Sequence, residues 1–359
     1  MNHSTLYTDF FLGTTTPAGF RGYFDELTHE PGRQAYLIKS GPGCGKSTLM
    51  KHLALRGGQE VQRIHCSSDP DSLDGVVFCA SGAAVLDATA PHTLEPSAPG
   101  ADEIVIGLYD SLRAELLRPH REAIRALFAR NACLRARASR YIASAGSLLL
   151  DNRRAAAFCT DFPRVRRYAA RLCARLLPRR DGTGSEQLRL LSAITPRGEL
   201  FYADTVPLLA DRIIAFDDEY GAVSRVLMEQ IRAAALASGQ DIITCPCALH
   251  PDDKIDHILI PALRLAFVTS NPWHPCRYAG QQNVHCTRFS SGLSACRSRL
   301  RFNRRAADEL IAQAVDLMAQ AKSCHDELEN YYRAAVDFRQ VEAQTERCAR
   351  LLGLTAQDE

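Results

Sequence analysis

The stretch "QAYLIKSGPGCGKSTLMKHLAL" (Gln34–Leu55) decides how this chain is read. Gln34 to Lys39 is a short apolar run that predicts a buried strand. A glycine-rich turn follows, and from about Lys46 to Leu55 apolar residues recur at helical spacing. Strand, glycine turn and helix in that order are the setting of a phosphate-binding P-loop. Gly41, Gly43 and Gly45 let the backbone curl so that its N–H groups face an anion. The helix N-terminus adds the positive end of its dipole. Pro42, Cys44 and Thr48 complete the expected loop. Lys46 would reach the outer phosphates, and the Ser47 hydroxyl would hold Mg2+. One departure is Ser40, where the strict pattern has glycine.

A P-loop needs a second carboxylate on the magnesium side, at the end of a neighbouring strand. "GAAVLDATAPH" supplies Asp87 after the small apolar run Ala83 to Leu86. Open α/β sheets bind ligands at that end of their strands. Between the two segments, Val61 to Cys66 predicts a strand. Ser67, Ser68, Asp69, Asp71 and Asp74 crowd the loop expected after it. Asp74 or Asp69 could position an attacking water; an Asp-Pro turn would explain the same residues without function. His92 and Glu95 are weaker candidates. No acid follows Asp87 directly, so slow hydrolysis is expected.

The chain repeats itself. "TTPAGFRGYFD" ending at Asp25 lies over "ITPRGELFYAD" ending at Asp204, and "HCSSDPDSLDGVVF" lies over "PCALHPDDKIDHILI". "AAVLDATAPH" lies over "RLAFVTSNPWH", and Asp161 to Leu177 resembles Asp337 to Leu352. Such order implies a tandem duplication. "RIIAFDDEYGAVSRVLM" then falls in the P-loop slot. Ser224 stands for the lysine, Arg225 for the magnesium serine and Val268 for Asp87. Asp217, Asp218 and Glu219 would repel a triphosphate. An arginine finger at Arg225 is the functional alternative to a solvated arginine.

Composition bounds the rest. The 359 residues are 46% hydrophobic and 23% charged, a globular mix. No apolar run is long enough to span a bilayer, and residues 1–20 lack a signal-peptide pattern. A cytoplasmic location is expected, with the 13 cysteines as free thiols. The segment 112–180 holds 17 arginines against four acids. This basic helical arm suggests an acidic partner (nucleic acid, an anionic membrane or a protein) or a solvated face balancing acidic cores. Cys245, Cys247, His274, Cys276, His285, Cys286 and Cys296 cluster in sequence without zinc-ligand spacing.

"FFLGTTTPAGF", "KSGPGCGKSTLMK", "HCSSDPDSLDG" and "DATAPHTLEPSAPGA" resemble an uncharacterised bacterial family of duplicated P-loop ATPases, over essentially the whole chain. The resemblance implies a P-loop NTPase fold and use of ATP through Gly43, Gly45, Lys46, Ser47 and Asp87. ATP over GTP rests on it and on the missing "NKxD" box.

The expected architecture is α/β, with two tandem P-loop-like three-layer cores, each followed by a helical hairpin or bundle. The segments are a live core at 1–108, the basic arm at 109–185, a degenerate core at 186–296 and a second arm at 297–359. The expected activity is slow, Mg2+-dependent ATP hydrolysis, with Lys46, Asp87 and Asp74 as the reacting residues. A P-loop phosphotransferase and a nucleotide-gated scaffold without turnover are the alternatives.

Overall fold

The computed structural model describes residues 5–354; the outermost ends of the first and last expected segments, including the first four residues of the stretch 1–20 read for a signal peptide, lie outside the described residues. The first half runs β1 (Leu6–Phe11), β2 (Gly13–Thr16), β3 (Gly19–Gly22), α1 (Phe24–Thr28), β4 (Gln34–Lys39), α2 (Lys46–Leu55), β5 (Glu60–Cys66), β6 (Asp69–Phe78), β7 (Ala83–Asp87) and β8 (Glu103–Gly107). The helices α3 (Ala114–Leu117), α4 (Arg121–Phe158) and α5 (Phe162–Leu176) follow. The second half runs β9 (Glu186–Leu188), β10 (Ser192–Thr195), β11 (Gly198–Phe201), α6 (Thr205–Leu209), β12 (Arg212–Asp217), α7 (Ala222–Ala237), β13 (Ile242–Pro246), β14 (Ile255–Ile260), β15 (Leu265–Ser270) and β16 (Gln282–His285). It ends with α8 (Arg297–Ala335) and α9 (Phe338–Leu351).

The two six-stranded sheets have the same plan. The first is ordered β1-β5-β6-β7-β4-β8 and the second, from the same edge, β9-β13-β14-β15-β12-β16. In each, the strand before the first core helix of ten residues or more (β4 before α2, β12 before α7) lies between two parallel neighbours (β7 and β8; β15 and β16). A central strand, β6 or β14, runs antiparallel to both of its neighbours. The sheets are therefore mixed, and Asp69 to Asp74, expected in a loop, begin strand β6. The register shifts at Ile64/His65 and His65/Cys66 let this polar stretch pair with β5.

The chain packs as two compact units, and neither coincides with one half of the sequence. One unit comprises residues up to Gly13, Gly22–Ala138 and the chain from Val315 onward. Here α9 closes the first core: Val341, Cys348 and Ala349 share a buried cluster with Leu49, Met50 and Leu53 of α2. Arg56 at the end of α2 clamps Glu346 with two bonds of 2.9 and 2.6 Å. The other unit comprises Thr14–Arg21 and Ser139–Ala314. Here α5 closes the second core: Val165, Leu172 and Leu176 pack with Leu227, Met228 and Ile231 of α7. In sequence, each arm follows one core. In the fold, each core is covered by the helix that follows the other one.

Helix α5 shows why such an arm needs a core. Its apolar residues recur on one stripe, which is buried, while Arg164, Arg166, Arg167, Arg171 and Arg175 stay exposed. No helix among the described residues is long and apolar enough to cross a membrane. All 13 cysteines are free thiols.

Candidate functional site

The strand and helix expected around the glycine turn form at the expected residues. Gly43 (φ 65°) and Gly45 (φ 85°) both adopt the left-handed conformation, and Gly45 is the residue before α2. Neither position suits a residue with a Cβ. Gly41 is different. Its φ is ordinary, but a Cβ there would lie 2.8 Å from Tyr332 Cε1. That glycine is required by the close approach of α8, whatever the loop binds. The Cys44 side chain turns into the core, Thr48 is exposed, and Pro42 accepts from the Cys44 thiol at 3.4 Å.

Lys46 opens α2. Its Nζ donates to the Gly41 carbonyl at 2.8 Å and lies 3.6 Å from Asp87 Oδ2. No side chain caps α2, and its first turn holds no acid. Ser47 Oγ accepts the Leu73 N–H at 2.9 Å, which ties the helix start to β6. Asp87 ends β7, where Oδ1 accepts the Thr89 N–H at 3.0 Å and the Thr89 hydroxyl at 2.5 Å.

Because β6 runs against β7, its middle lies beside the carboxyl end of β7. Gly75 pairs with Leu86, so Asp74 neighbours Asp87. Burial, with the Asp87 charge adding to it, raises the Asp74 carboxyl above the usual range, against the opposing pull of His92 and Lys46. Burial also pushes up the adjoining Cys66 thiol. His92 stacks on Phe24 at 4.3 Å, with Nε2 4.0 Å from Asp74 Oδ1. The other two candidates lie elsewhere. Asp69 accepts from Ser72 at 2.8 Å and lies 3.7 Å from Lys322, and the exposed Glu95 pairs with Lys39.

The second core carries a different chemistry at the same places. Between β12 and α7 the connection is residues 218–221, shorter than the 40–45 turn between β4 and α2, because the helix starts earlier, at Ala222, the equivalent of Cys44. Gly221 keeps the left-handed turn of Gly43, at φ 72°. The second curl is lost because Val223, at the Gly45 position, is already helical. Ser224 is the second residue after Ala222, as Lys46 is after Cys44. Asp218 stands for Ser40, and its Oδ2 accepts the N–H groups of Val223 (2.9 Å) and Ser224 (2.7 Å). An internal carboxylate thus occupies the helix N-terminus. Arg225, the finger candidate, bonds Asp253 within its own core.

The expected loss of Asp87 needs one correction. Ile38 pairs with Asp87, and its counterpart Phe216 pairs with Thr269, so the residue at that position is Thr269 and not Val268. The single-residue slip arose because the chain from Cys245 in β13 to its β14 partner His257 holds one more residue than the chain from Ile64 in β5 to its β6 partner Gly75. The signal was present: "LDG" (Leu73–Gly75) matches "IDH" (Ile255–His257) one residue further along.

That register exposes a group the sequence reading missed. Lys254 Nζ lies 2.5 Å from Asp256 Oδ1 in the interior, and His274 Nε2 lies 3.6 Å from Asp256 Oδ2. Burial works against the charge on Asp256, but Lys254 and His274 hold it well below the usual carboxylate range. Burial likewise works against Lys254, and Asp256 raises it above its ordinary value. A pocket in this unit is lined by Arg153, Glu199, Tyr220, Lys254, Asn271 and Trp273, among others. The cysteine-rich second half forms no metal-ligand group; among the described residues the one such group is Asp74, Asp87 and His92. Comparison with protein-family models, curated proteins and solved structures gave no significant match.

Proposed function

We propose that the chain is a duplicated P-loop NTPase whose first core binds ATP with Mg2+ and hydrolyses it slowly. The observation that carries this reading is the placement of Lys46. Its ammonium opens an uncapped helix, folds back on a loop with two left-handed glycines, and faces Asp87 at 3.6 Å. The helix N–H groups and Lys46 would take the phosphates. The donor set suits Mg2+, a hard ion that keeps several waters. Ser47 and Asp87 would hold it, and when bound it neutralises phosphate charge. A buried hydroxyl at Ser40 without a hydrogen-bond partner among the described residues stands where the second core has Asp218, so no internal carboxylate competes there. Asp74 would position water. Ala88 in place of an acid after Asp87 favours slow turnover.

The second core supports a single site, since Asp218 already takes the helix N-terminus. A second reading, a nucleotide-gated binding module, is favoured by the C-terminal helices: Tyr332, Glu329 and Val341 pack directly on the glycine loop. A change in that loop would be felt in α8 and α9. The exposed arginines of α5 would then suit an anionic partner.

Nucleotide binding and phosphate release by the wild type, Lys46→Ala and Asp87→Asn test both readings. The lysine variant should bind ATP more than about tenfold more weakly. Asp87→Asn should release less phosphate. Unchanged affinity in Lys46→Ala sinks the proposal, and tight binding without phosphate release favours the gated module.

A further inference from the structure

Asp74, Asp87 and His92 converge on one spot from the middle of β6, the end of β7 and the loop beyond it. One donor atom from each lies within 4.8 Å of the others, and each residue is only 9% exposed. Two carboxylates held so close away from water repel unless a cation offsets them. The Lys46 ammonium, 3.6 Å from Asp87, offsets one of the two charges.

The second core shows how the same geometry is satisfied internally. By strand register, Asp256 corresponds to Asp74 and Thr269 to Asp87, and five residues further on His274 corresponds to His92. There the Lys254 ammonium sits on Asp256 at 2.5 Å, His274 lies 3.6 Å from the other oxygen, and the Thr269 hydroxyl donates to Asp256 at 3.3 Å. The first core has Ser72 where the second has Lys254, and a carboxylate where the second has Thr269. Even with Lys46 counted, these residues carry net negative charge in the first core and balance in the second. One core builds its cation into the chain; the other leaves donors arranged for one.

We propose that Asp74, Asp87 and His92 bind a divalent first-row transition-metal ion directly, without nucleotide. Two carboxylates with one imidazole suit Mn2+, Fe2+ or Zn2+ better than Mg2+, which seldom takes nitrogen donors. The proposal deepens the nucleotide-site reading, turning Asp74 and His92 into ligands, but the ion does not require ATP.

The test is titration of the full, chelator-treated chain with Mn2+ alone, following loss of the free-ion EPR signal. One ion should bind per chain, with a histidine-nitrogen coupling in pulsed EPR. Asp74→Asn and His92→Gln should each weaken it by more than about tenfold, and the distant Glu95→Gln should not. Ser72→Lys, which would plant an ammonium as Lys254 does, should abolish binding while the chain stays folded by circular dichroism. No Mn2+ binding by the wild type, a bound ion without nitrogen coupling, or full binding in Ser72→Lys overturns the proposal. If ATP still binds when Mn2+ does not, only this inference fails; if Mn2+ binds and ATP does not, only the nucleotide reading fails.

Discussion

Lys254 and Asp256, two residues apart on the chain, form a contact of 2.5 Å with side chains 8% and 2% exposed. Removing one member of such a pair strands a charge in the interior. Lys254→Met should therefore destabilise the second core by about 3–5 kcal/mol in urea unfolding. Lys254→Met combined with Asp256→Asn should recover much of that loss, because the stranded charge is gone. A double variant no more stable than Lys254→Met would show that the pair is not the cause.

Asp218 serves the same core in another way, by accepting two N–H groups at the start of α7. Asp218→Ala should cost about 1–2 kcal/mol, and Asp218→Asn less, since the amide oxygen still caps. Amide exchange at Val223 and Ser224 should quicken in the alanine variant.

The histidines of the second core make its stability depend on pH. Burial, helped by the nearby His274, lowers His257 to about 3, and burial beside Arg153 lowers His250 to about 4. Both stay neutral in the folded chain while the unfolded chain takes up protons below about pH 6.5. The stability they contribute is complete above that value and is lost as pH falls toward 4 and 3. Each should contribute a slope of about 1.4 kcal/mol per pH unit. His257→Leu should remove about one proton's worth of slope from unfolding measured between pH 6 and 4. An unchanged slope would place the proton elsewhere.

The glycines of the first loop can be separated by reason. Gly41→Ala should clash with Tyr332, costing about 1–3 kcal/mol, and Tyr332→Ala should relieve it. Gly45→Ala meets a backbone penalty of about 1–2 kcal/mol at φ 85° that no neighbouring truncation should relieve. Thermal unfolding of the single and double variants distinguishes the two. Equal rescue would mean that packing, and not conformation, fixes both glycines.

Local pattern carried the first site. Lys46 to Leu55 forms a helix and Ala83 to Asp87 a strand because their apolar spacing and glycine punctuation suffice to set them. Asp69 to Asp74 misled because serines, acids and a proline spell a turn, whereas pairing to β5 makes them a strand. Tertiary pairing overrode composition there. Lys254 and His274 belong to no motif, and they become legible only when strand register sets them beside Asp256. Which core an arm covers was beyond the pattern altogether, since the apolar stripe of α9 says that it needs a partner but not which one.

That exchange of arms has a consequence for biosynthesis. Tyr36, in the strand leading into the glycine loop, donates from its hydroxyl to the carbonyl of Leu351, 315 residues away. The first core therefore leaves the ribosome with an apolar helix face still bare, and closure waits for a helix made some 315 residues later. Such long-range closure is slow, and the waiting surface invites aggregation or chaperone binding. Each half is completed by residues that the other half encodes, so coexpressed halves should assemble where either one alone would not.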